Sequence, residues 1–244
     1  MTLDQIEAVL FDMGGTLVDY PLPSPPAIVA RCLHGAISFL VQSEEDLPPR
    51  AAAVPGPDTA HRLRRPAAPD APIAHRAMTG LRRIIRSVSG QTLPQMAEAC
   101  VRPVLAKGRL YDDALPTLRA LKSRGYRLAL VSNTPWGTPD YLWQQQAQRF
   151  GVGPLMERRL FSSDVGVRKP DPRIFLEALS GLGTRPEHAL FVGDTPHEDV
   201  AGAKAAGMTA ALLVRGPVPP TAAQHPGDFR IARLTELLDR LPGR

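Results

Sequence analysis

The stretch EAVLFDMGGTLVDY, residues 7–20, decides how the rest of the chain is read. Its first part, EAVLF at 7–11, is a short continuous run of the kind that forms a strand covered on both faces. Asp12 follows at once, then Gly14, Gly15 and Thr16. An acid at the end of a buried strand calls for a use. Two residues later, where a second acid would complete the chemistry, stands Gly14. Four more runs share the pattern: RLALVS at 127–132, RRLFS at 158–162, ALFVG at 189–193 and AALLV at 210–214. Between them, ALPTLRALKSRG carries Leu115, Leu118 and Leu121 at helical spacing with Gly125 as a stop. PDPRIFLEALSGLG and HEDVAGAKAAG repeat the pattern and end on glycines of their own. Alternating strands and helices predict an α/β fold with a doubly wound, Rossmann-like parallel sheet. Ligands of such sheets bind beyond the carboxyl ends of the strands.

The alternation breaks between 20 and 108. PLPSPP leads into a helical pattern over 27–41, and then comes LPPRAAAVPGPDTAHRLRRPAAPDAP, where proline recurs too often for helix or strand to continue. Helical pattern returns in HRAMTGLRRIIRSV and PQMAEACVRPVLAKG. The expected organisation is a core of 1–20 and 109–244 with a small helical insertion at 21–108, whose Pro- and Arg-rich loop, about 45–75, is mobile. Arg62, Arg64 and Arg65 in that loop read more readily as a solvated linker than as contacts for an anionic substrate.

At 244 residues and 43% apolar composition, the chain is long enough to bury a substantial core. No run reaches the roughly 18 apolar residues that a membrane helix requires, and MTLDQIEAVLF has acids ahead of its apolar stretch and no basic leader. The expectation is a cytoplasmic protein with no membrane partner. Cys32 and Cys100 are too few and too far apart for a disulfide framework or a metal knuckle. The net charge of +5 rests on 25 arginines and only four lysines, Lys107, Lys122, Lys169 and Lys204. With 5% aromatics and no stacking motif, this is arginine-biased composition rather than a nucleic-acid footprint. A small anionic substrate accounts for the charge equally well.

Asp12 follows the first strand, Ser132 ends the second, Lys169 comes after the third and Asp194 follows the fourth, so all four converge on one edge of the sheet. Together they supply a carboxylate nucleophile, a hydroxyl and an ammonium to hold transferring oxygens, and a further carboxylate for a hard cation such as Mg²⁺. Taken singly, Ser132 is as readily a helix cap. Asp194 and Asp199, in VGDTPHEDVAGAKAAG, could merely favour a helix N-terminus. Lys169 is harder to dismiss: in a chain that uses arginine, VRKPDPRIF places a lysine where a point charge with three donors suits phosphate oxygens.

With FDMGGTL, VSN, RKPDPRIF and GDTPHED in this order, the chain resembles the haloacid dehalogenase superfamily of hydrolases, most of them phosphatases, over 6–11 and from about 110 to 214. The resemblance implies that the insertion is the family's helical cap of the first type. It implies an Asp12 nucleophile forming an aspartyl-phosphate that water then hydrolyses, with Ser132, Asn133 and Lys169 binding the phosphoryl group of a small phosphorylated metabolite. It also implies Mg²⁺ held by Asp12, the Gly14 carbonyl and Asp194, with Asp199 in support from the far end of the motif.

The family's phosphatases usually carry an Asp two residues after the nucleophile, which protonates the leaving oxygen and then activates water. Here that residue is Gly14, and general acid–base help is typically worth about 10²- to 10⁴-fold. The Gly14 carbonyl remains, so the resemblance implies that metal binding survives where proton transfer does not. Gly14 and Gly15 also suit a tight turn after the strand. Four outcomes follow. The enzyme is slow, or uses leaving groups that need little protonation, or borrows an acid from cap or substrate. Otherwise the protein is catalytically impaired and binds a phosphate-bearing ligand or a partner. The 2-haloacid dehalogenase branch also lacks the second Asp, but it uses no metal and departs from the GDxxxxD pattern that Asp194 and Asp199 keep. Phosphonoacetaldehyde hydrolases recruit a cap lysine, and residues 1–106 contain none. Candidate substitute acids are His34, His61, His75 and, inside the fourth motif, His197. Trp136 reads as packing for the loop after Ser132, and Asp140 as a first-turn helix residue beside Pro139. No motif marks the substrate or an oligomeric state.

Overall fold

The opening apolar run becomes β1, Ala8–Phe11, buried at every residue. The computed structural model describes residues 3–21, 34, 92–135, 138–218 and 220–243. Two compact units divide the chain, Met1–Tyr20 with Gly108–Arg244, and Pro21–Lys107. After β1 come β2 (Val18–Asp19), α1 (Thr92–Leu105), β3 (Arg109–Leu110), α2 (Ala114–Ser123), β4 (Arg127–Ser132) and α3 (Asp140–Arg149). Then follow β5 (Arg158–Phe161), α4 (Ser162–Val165), α5 (Pro172–Leu182), β6 (Ala189–Gly193), α6 (Gly202–Ala205), β7 (Thr209–Leu213), β8 (Phe229–Ile231) and α7 (Leu237–Arg240). Of these only α1 lies in the second unit, where it realises the helical pattern of PQMAEACVRPVLAKG with Pro103 inside it and an ion pair between Glu98 and Arg102 one turn apart. The helix expected over 27–41, the loop at 45–75 and HRAMTGLRRIIRSV lie outside the described residues, His34 excepted. Among the described residues no helix is long and apolar enough to cross a membrane.

The main sheet is parallel throughout, in the order β5-β4-β1-β6-β7-β8. Because strand side chains alternate between faces, Ala8, Leu10, Ala129, Val131, Phe191, Ala210 and Leu212 share one cluster with Ile174, Phe175, Ala178 and Leu182 of α5 and with Val200 and Ala203. The intervening residues Val9, Phe11, Leu128, Leu130 and Val192 are buried as well, as are Leu118 and Leu121 of α2, which packs against β4. Both faces are therefore covered, as continuous apolar strands require. β1 is central, and the chain leaves it first towards β4 and β5 and later towards β6 to β8. That reversal makes the carboxyl end of β1 the switch point of the sheet.

Several details differ from the sequence reading. A sixth strand, β8, closes one edge; its three residues, FRI, are only partly buried and form no apolar run. Ser162 opens α4 instead of closing the third strand, and the fifth strand begins one residue earlier, at Thr209. The helical pattern of HEDVAGAKAAG starts as a π-helical turn, Pro196–Ala201, before α6.

Asp113, just before α2, ties distant segments together. It accepts from Arg215 Nη1 at 3.1 Å and Nη2 at 2.8 Å and from the Leu234 N–H at 2.8 Å. Arg215 also donates to the Thr16 carbonyl at 3.0 Å and stacks over the Tyr111 ring. Burial alone would raise the Asp113 carboxyl, but the hydrogen bonds and charge of Arg215 and the Leu234 N–H hold it below the ordinary range. Its stabilising contribution is thus present above the unfolded-state pKa and is lost as pH falls through the folded one. Asp113→Ala is expected to cost about 3 kcal/mol at neutral pH, because it strands a largely buried guanidinium. Denaturant melts check this; a difference from wild type that did not shrink in acid would contradict it.

Candidate active site

β1 ends at Phe11 and hands the chain to Asp12, whose N–H donates to the Val192 carbonyl of β6 at 3.0 Å. The turn beyond is tight: Leu17 and Val18 both donate to the Met13 carbonyl, and Gly15 donates to the Val18 carbonyl. Gly15 has φ +77°, and a Cβ there would lie 2.2 Å from Asp194 Oδ2, so glycine is required both by conformation and by the carboxylate beside it. Gly193 is constrained in the same way, since its Cβ would fall 2.3 Å from Asp199 Cγ. Two glycines thus let two carboxylates close on the end of β1.

Lys169 is buried and fully engaged. Its Nζ donates to Asp12 Oδ1 at 2.6 Å, to Asp199 Oδ1 at 2.6 Å and to the Val131 carbonyl at 3.1 Å, which uses all three ammonium hydrogens. Ser132 Oγ donates to the same Asp12 Oδ1 at 3.0 Å. With Oδ1 taking both bonds, Asp12 Oδ2 has no hydrogen bond among the described residues. Asn133 brackets the Lys169 backbone: Oδ1 accepts the Lys169 N–H at 2.9 Å, and Nδ2 donates to the Lys169 carbonyl at 3.1 Å and to Glu198 Oε2 at 2.9 Å. Asp199 accepts the Thr195 N–H on its second oxygen at 2.9 Å.

Carboxylate oxygens of Asp12, Asp194 and Asp199 all lie within 4.8 Å of one another. Three carboxylates against one ammonium leave two negative charges in a buried place. Burial, and then the charges of Asp12 and Asp199, push Asp194 up to about 7, with Lys169 relieving part of the rise. Burial would lower Lys169, but the two carboxylates bonded to it hold it above its ordinary value, so it stays charged. Clustered oxygen donors with a net negative charge fit a hard divalent cation. Asp199 has both oxygens committed to Lys169 and Thr195, whereas Asp194 has, among the described residues, its own backbone N–H and a 3.4 Å contact from Thr195 Oγ1.

Asp12, Gly14, Ser132, Asn133, Lys169 and Asp199 line one cavity of about 130 Å³ together with Thr195 and Glu198. The sequence reading passed over Thr195 and Glu198, although both sit inside GDTPHED, between its two acids. His197 does not line this cavity; it is exposed, with its ring against His225, centroids 5.6 Å apart. His34 is exposed, and His61, His75, Arg62, Arg64, Arg65 and Trp136 lie outside the described residues. Asp140 opens α3 directly after Pro139. Tyr20 flanks Gly14, and burial followed by the charge of Asp12 raises its phenol pKa.

A family model for haloacid dehalogenase-like hydrolases matches residues 6–207, which contain every side chain of this cavity. The chain belongs to the haloacid dehalogenase-like hydrolases. Among its relatives in this family is glyceraldehyde 3-phosphate phosphatase of Methanopyrus kandleri, 32% identical over 163 residues that cover 64% of this chain and 68% of that one. Phosphoserine phosphatase of Thermus thermophilus is 39% identical over 128 residues, 52% of this chain and 49% of the relative. The chain therefore spans about two thirds of the first relative's length and about half of the second's. Among solved structures, a haloacid dehalogenase-like phosphatase from Thermococcus onnurineus superposes with TM-score 0.66 at 24% identity, covering 98% of this chain and 99% of that one. A 2-haloacid dehalogenase from Pseudomonas syringae gives TM-score 0.62 at 22% identity, with 96% and 97% covered. Phosphatases and dehalogenases of the family thus share this fold, and the choice between their chemistries falls to the site.

Proposed function

We propose that this hydrolase is a Mg²⁺-dependent phosphatase of small phosphorylated metabolites, with Asp12 as nucleophile and an aspartyl-phosphate intermediate. The observation that carries the reading is the charge balance at the end of β1, where three clustered carboxylates face a single ammonium. A metal-free dehalogenation site has no use for the excess; a phosphoryl-transfer site does. Asp12, Asp194 and the Gly14 carbonyl would hold the cation, which when bound supplies charge neutralisation for the phosphoryl oxygens. The phosphatase names of the two relatives point the same way.

The chain's own groups divide the work. Asp12 Oδ2, which takes no hydrogen bond among the described residues, attacks phosphorus while Lys169 and Ser132 fix the carboxylate through Oδ1. As the Asp12 carboxylate loses its charge to the phosphoryl group, the Lys169 and Ser132 donors now held by Oδ1 are released to the transferring oxygens. Asn133 and Asp199 act through Lys169, the first on its backbone and the second on its ammonium. The insertion at 21–107 serves as the cap that selects the substrate. Phosphate release from nitrophenyl phosphate, with and without Mg²⁺, tests the reading. Release that requires Mg²⁺ supports it; a wild-type protein that binds Mg²⁺ but releases no phosphate across a panel of metabolites is instead a binding protein.

Gly14→Asp is expected to raise kcat/KM for alkyl phosphates at least about 10-fold, towards the range of general acid–base catalysis, and to leave nitrophenyl phosphate little changed. The new Cβ meets the Tyr20 ring at an ordinary 3.6 Å, so the backbone accepts it. A folded variant with no gain on alkyl phosphates would contradict the view that position 14 limits the rate.

A further inference from the structure

Three acidic side chains among the described residues line the cavity, Asp12, Asp199 and Glu198, and the chemistry proposed above gives a task only to the first two. The charge of a carboxylate in the cavity of an anionic substrate works against binding, so the place of Glu198 calls for an explanation. Its hydrogen bond is to Asn133, whose Nδ2 donates to Glu198 Oε2 at 2.9 Å. The other Nδ2 hydrogen goes to the Lys169 carbonyl at 3.1 Å, and Asn133 Oδ1 accepts the Lys169 N–H at 2.9 Å. The amide is thus fully engaged, with neither Nδ2 hydrogen left for a phosphoryl oxygen.

Both ends of Lys169 are held from the same two places. From the end of β4, Asn133 takes the backbone and the Val131 carbonyl accepts from the ammonium at 3.1 Å. From the π-helical turn Pro196–Ala201, Asp199 accepts from the ammonium at 2.6 Å, and its neighbour Glu198 reaches the backbone through Asn133. A carboxylate suits that place. It can only accept, so it admits one orientation of the Asn133 amide, and a hydrogen bond to a charged partner is the stronger kind.

We propose that Glu198 is a positioning residue: through Asn133 it fixes the backbone of Lys169 and so keeps the ammonium on Asp12 Oδ1. This assignment rests on the phosphatase reading, in which Lys169 orients the nucleophile. Glu198 takes no part in proton transfer and makes no bond to the substrate. Its contribution therefore falls on the chemical step and not on binding.

Glu198→Gln keeps an acceptor for Asn133 and removes the charge, whereas Glu198→Ala removes both. With Mg²⁺-loaded protein and nitrophenyl phosphate, Glu198→Ala is expected to lower kcat about 10-fold, with KM and the inhibition constant of inorganic phosphate unchanged or lower. Glu198→Gln should lose only about two- to three-fold in kcat, because the neutral acceptor bond is weaker and not absent. Both variants lose the charge, so the difference between them isolates the hydrogen bond. In an Asn133→Ala background, itself slowed, Glu198→Ala should cost no more than about two-fold further, as when one residue acts through the other. Unchanged kcat in Glu198→Ala, with or without a rise in KM, would overturn the assignment. So would equal losses in the Gln and Ala variants, or losses that multiply with that of Asn133→Ala; all of these leave the phosphatase reading standing. Should Asn133→Ala fail to fold, the comparison of Gln with Ala decides. A wild type that releases no phosphate would overturn the phosphatase reading and this assignment together.

Discussion

Asp12→Asn is expected to abolish phosphate release, by at least about 10⁴-fold, while leaving the fold intact. The amide has the shape of the carboxylate but no anionic oxygen to attack phosphorus. The fold survives because Lys169 keeps its pairing with Asp199 and its bond to the Val131 carbonyl. Removal of one of three clustered carboxylates is also expected to weaken the proposed Mg²⁺ binding. Circular dichroism, titration calorimetry with Mg²⁺ and phosphate release together check the set. Undiminished turnover in Asp12→Asn would place the nucleophile elsewhere.

Lys169→Met should cost about 3–5 kcal/mol at neutral pH, the usual range when one partner of a buried ion pair is removed. The ammonium offsets Asp12 and Asp199 directly and Asp194 at longer range, and nothing else cationic touches them among the described residues. The pH dependence has a definite sign. Asp194 is already raised to about 7, so the folded protein takes up protons more readily than the unfolded chain as pH falls from neutrality. Without Lys169 that preference grows. The variant should therefore be least stable near pH 8 and recover towards pH 5, where the carboxylates neutralise, with Mg²⁺ rescuing part of the loss at the higher pH. Activity should be lost throughout. A loss of stability that stayed constant from pH 5 to 8 would mean that the buried charge is not what Lys169 offsets.

Much of this was legible in the sequence, for reasons that lie in particular residues. β1, β4 and β6 could be read because a strand covered on both faces has to be apolar along its length, and AVLF, RLALVS and ALFVG are. β8 could not, since an edge strand of three residues with one face in solvent needs no such run. The two-residue pair β2 and β3 is held by its neighbours rather than by its own pattern. Within the site, Asp12, Ser132, Lys169 and Asp194 are placed by strand ends, and strand ends follow from the alternation. What stayed hidden depends on approach between distant segments. The pairing of Lys169 with Asp199 across 30 residues is one case. The demand that Gly15 and Gly193 lack side chains because Asp194 and Asp199 occupy that space is another. Tyr20 is a third: in FDMGGTLVDY it is the last letter of a motif, and only the folded turn brings its ring back against Gly14.

The central claim is that Asp12 carries the phosphoryl group during turnover. With glycine at position 14, the proposed mechanism predicts slow breakdown of the acyl phosphate, so the intermediate should accumulate and survive an acid quench. A rapid-quench reaction of the wild-type protein with a radiolabelled phosphate ester and Mg²⁺, followed by peptide mapping, measures it directly. The expected result is label on the peptide containing Asp12, released by hydroxylamine and absent from Asp12→Asn. Sustained phosphate release with no label on that peptide, or label on another residue, would contradict the mechanism.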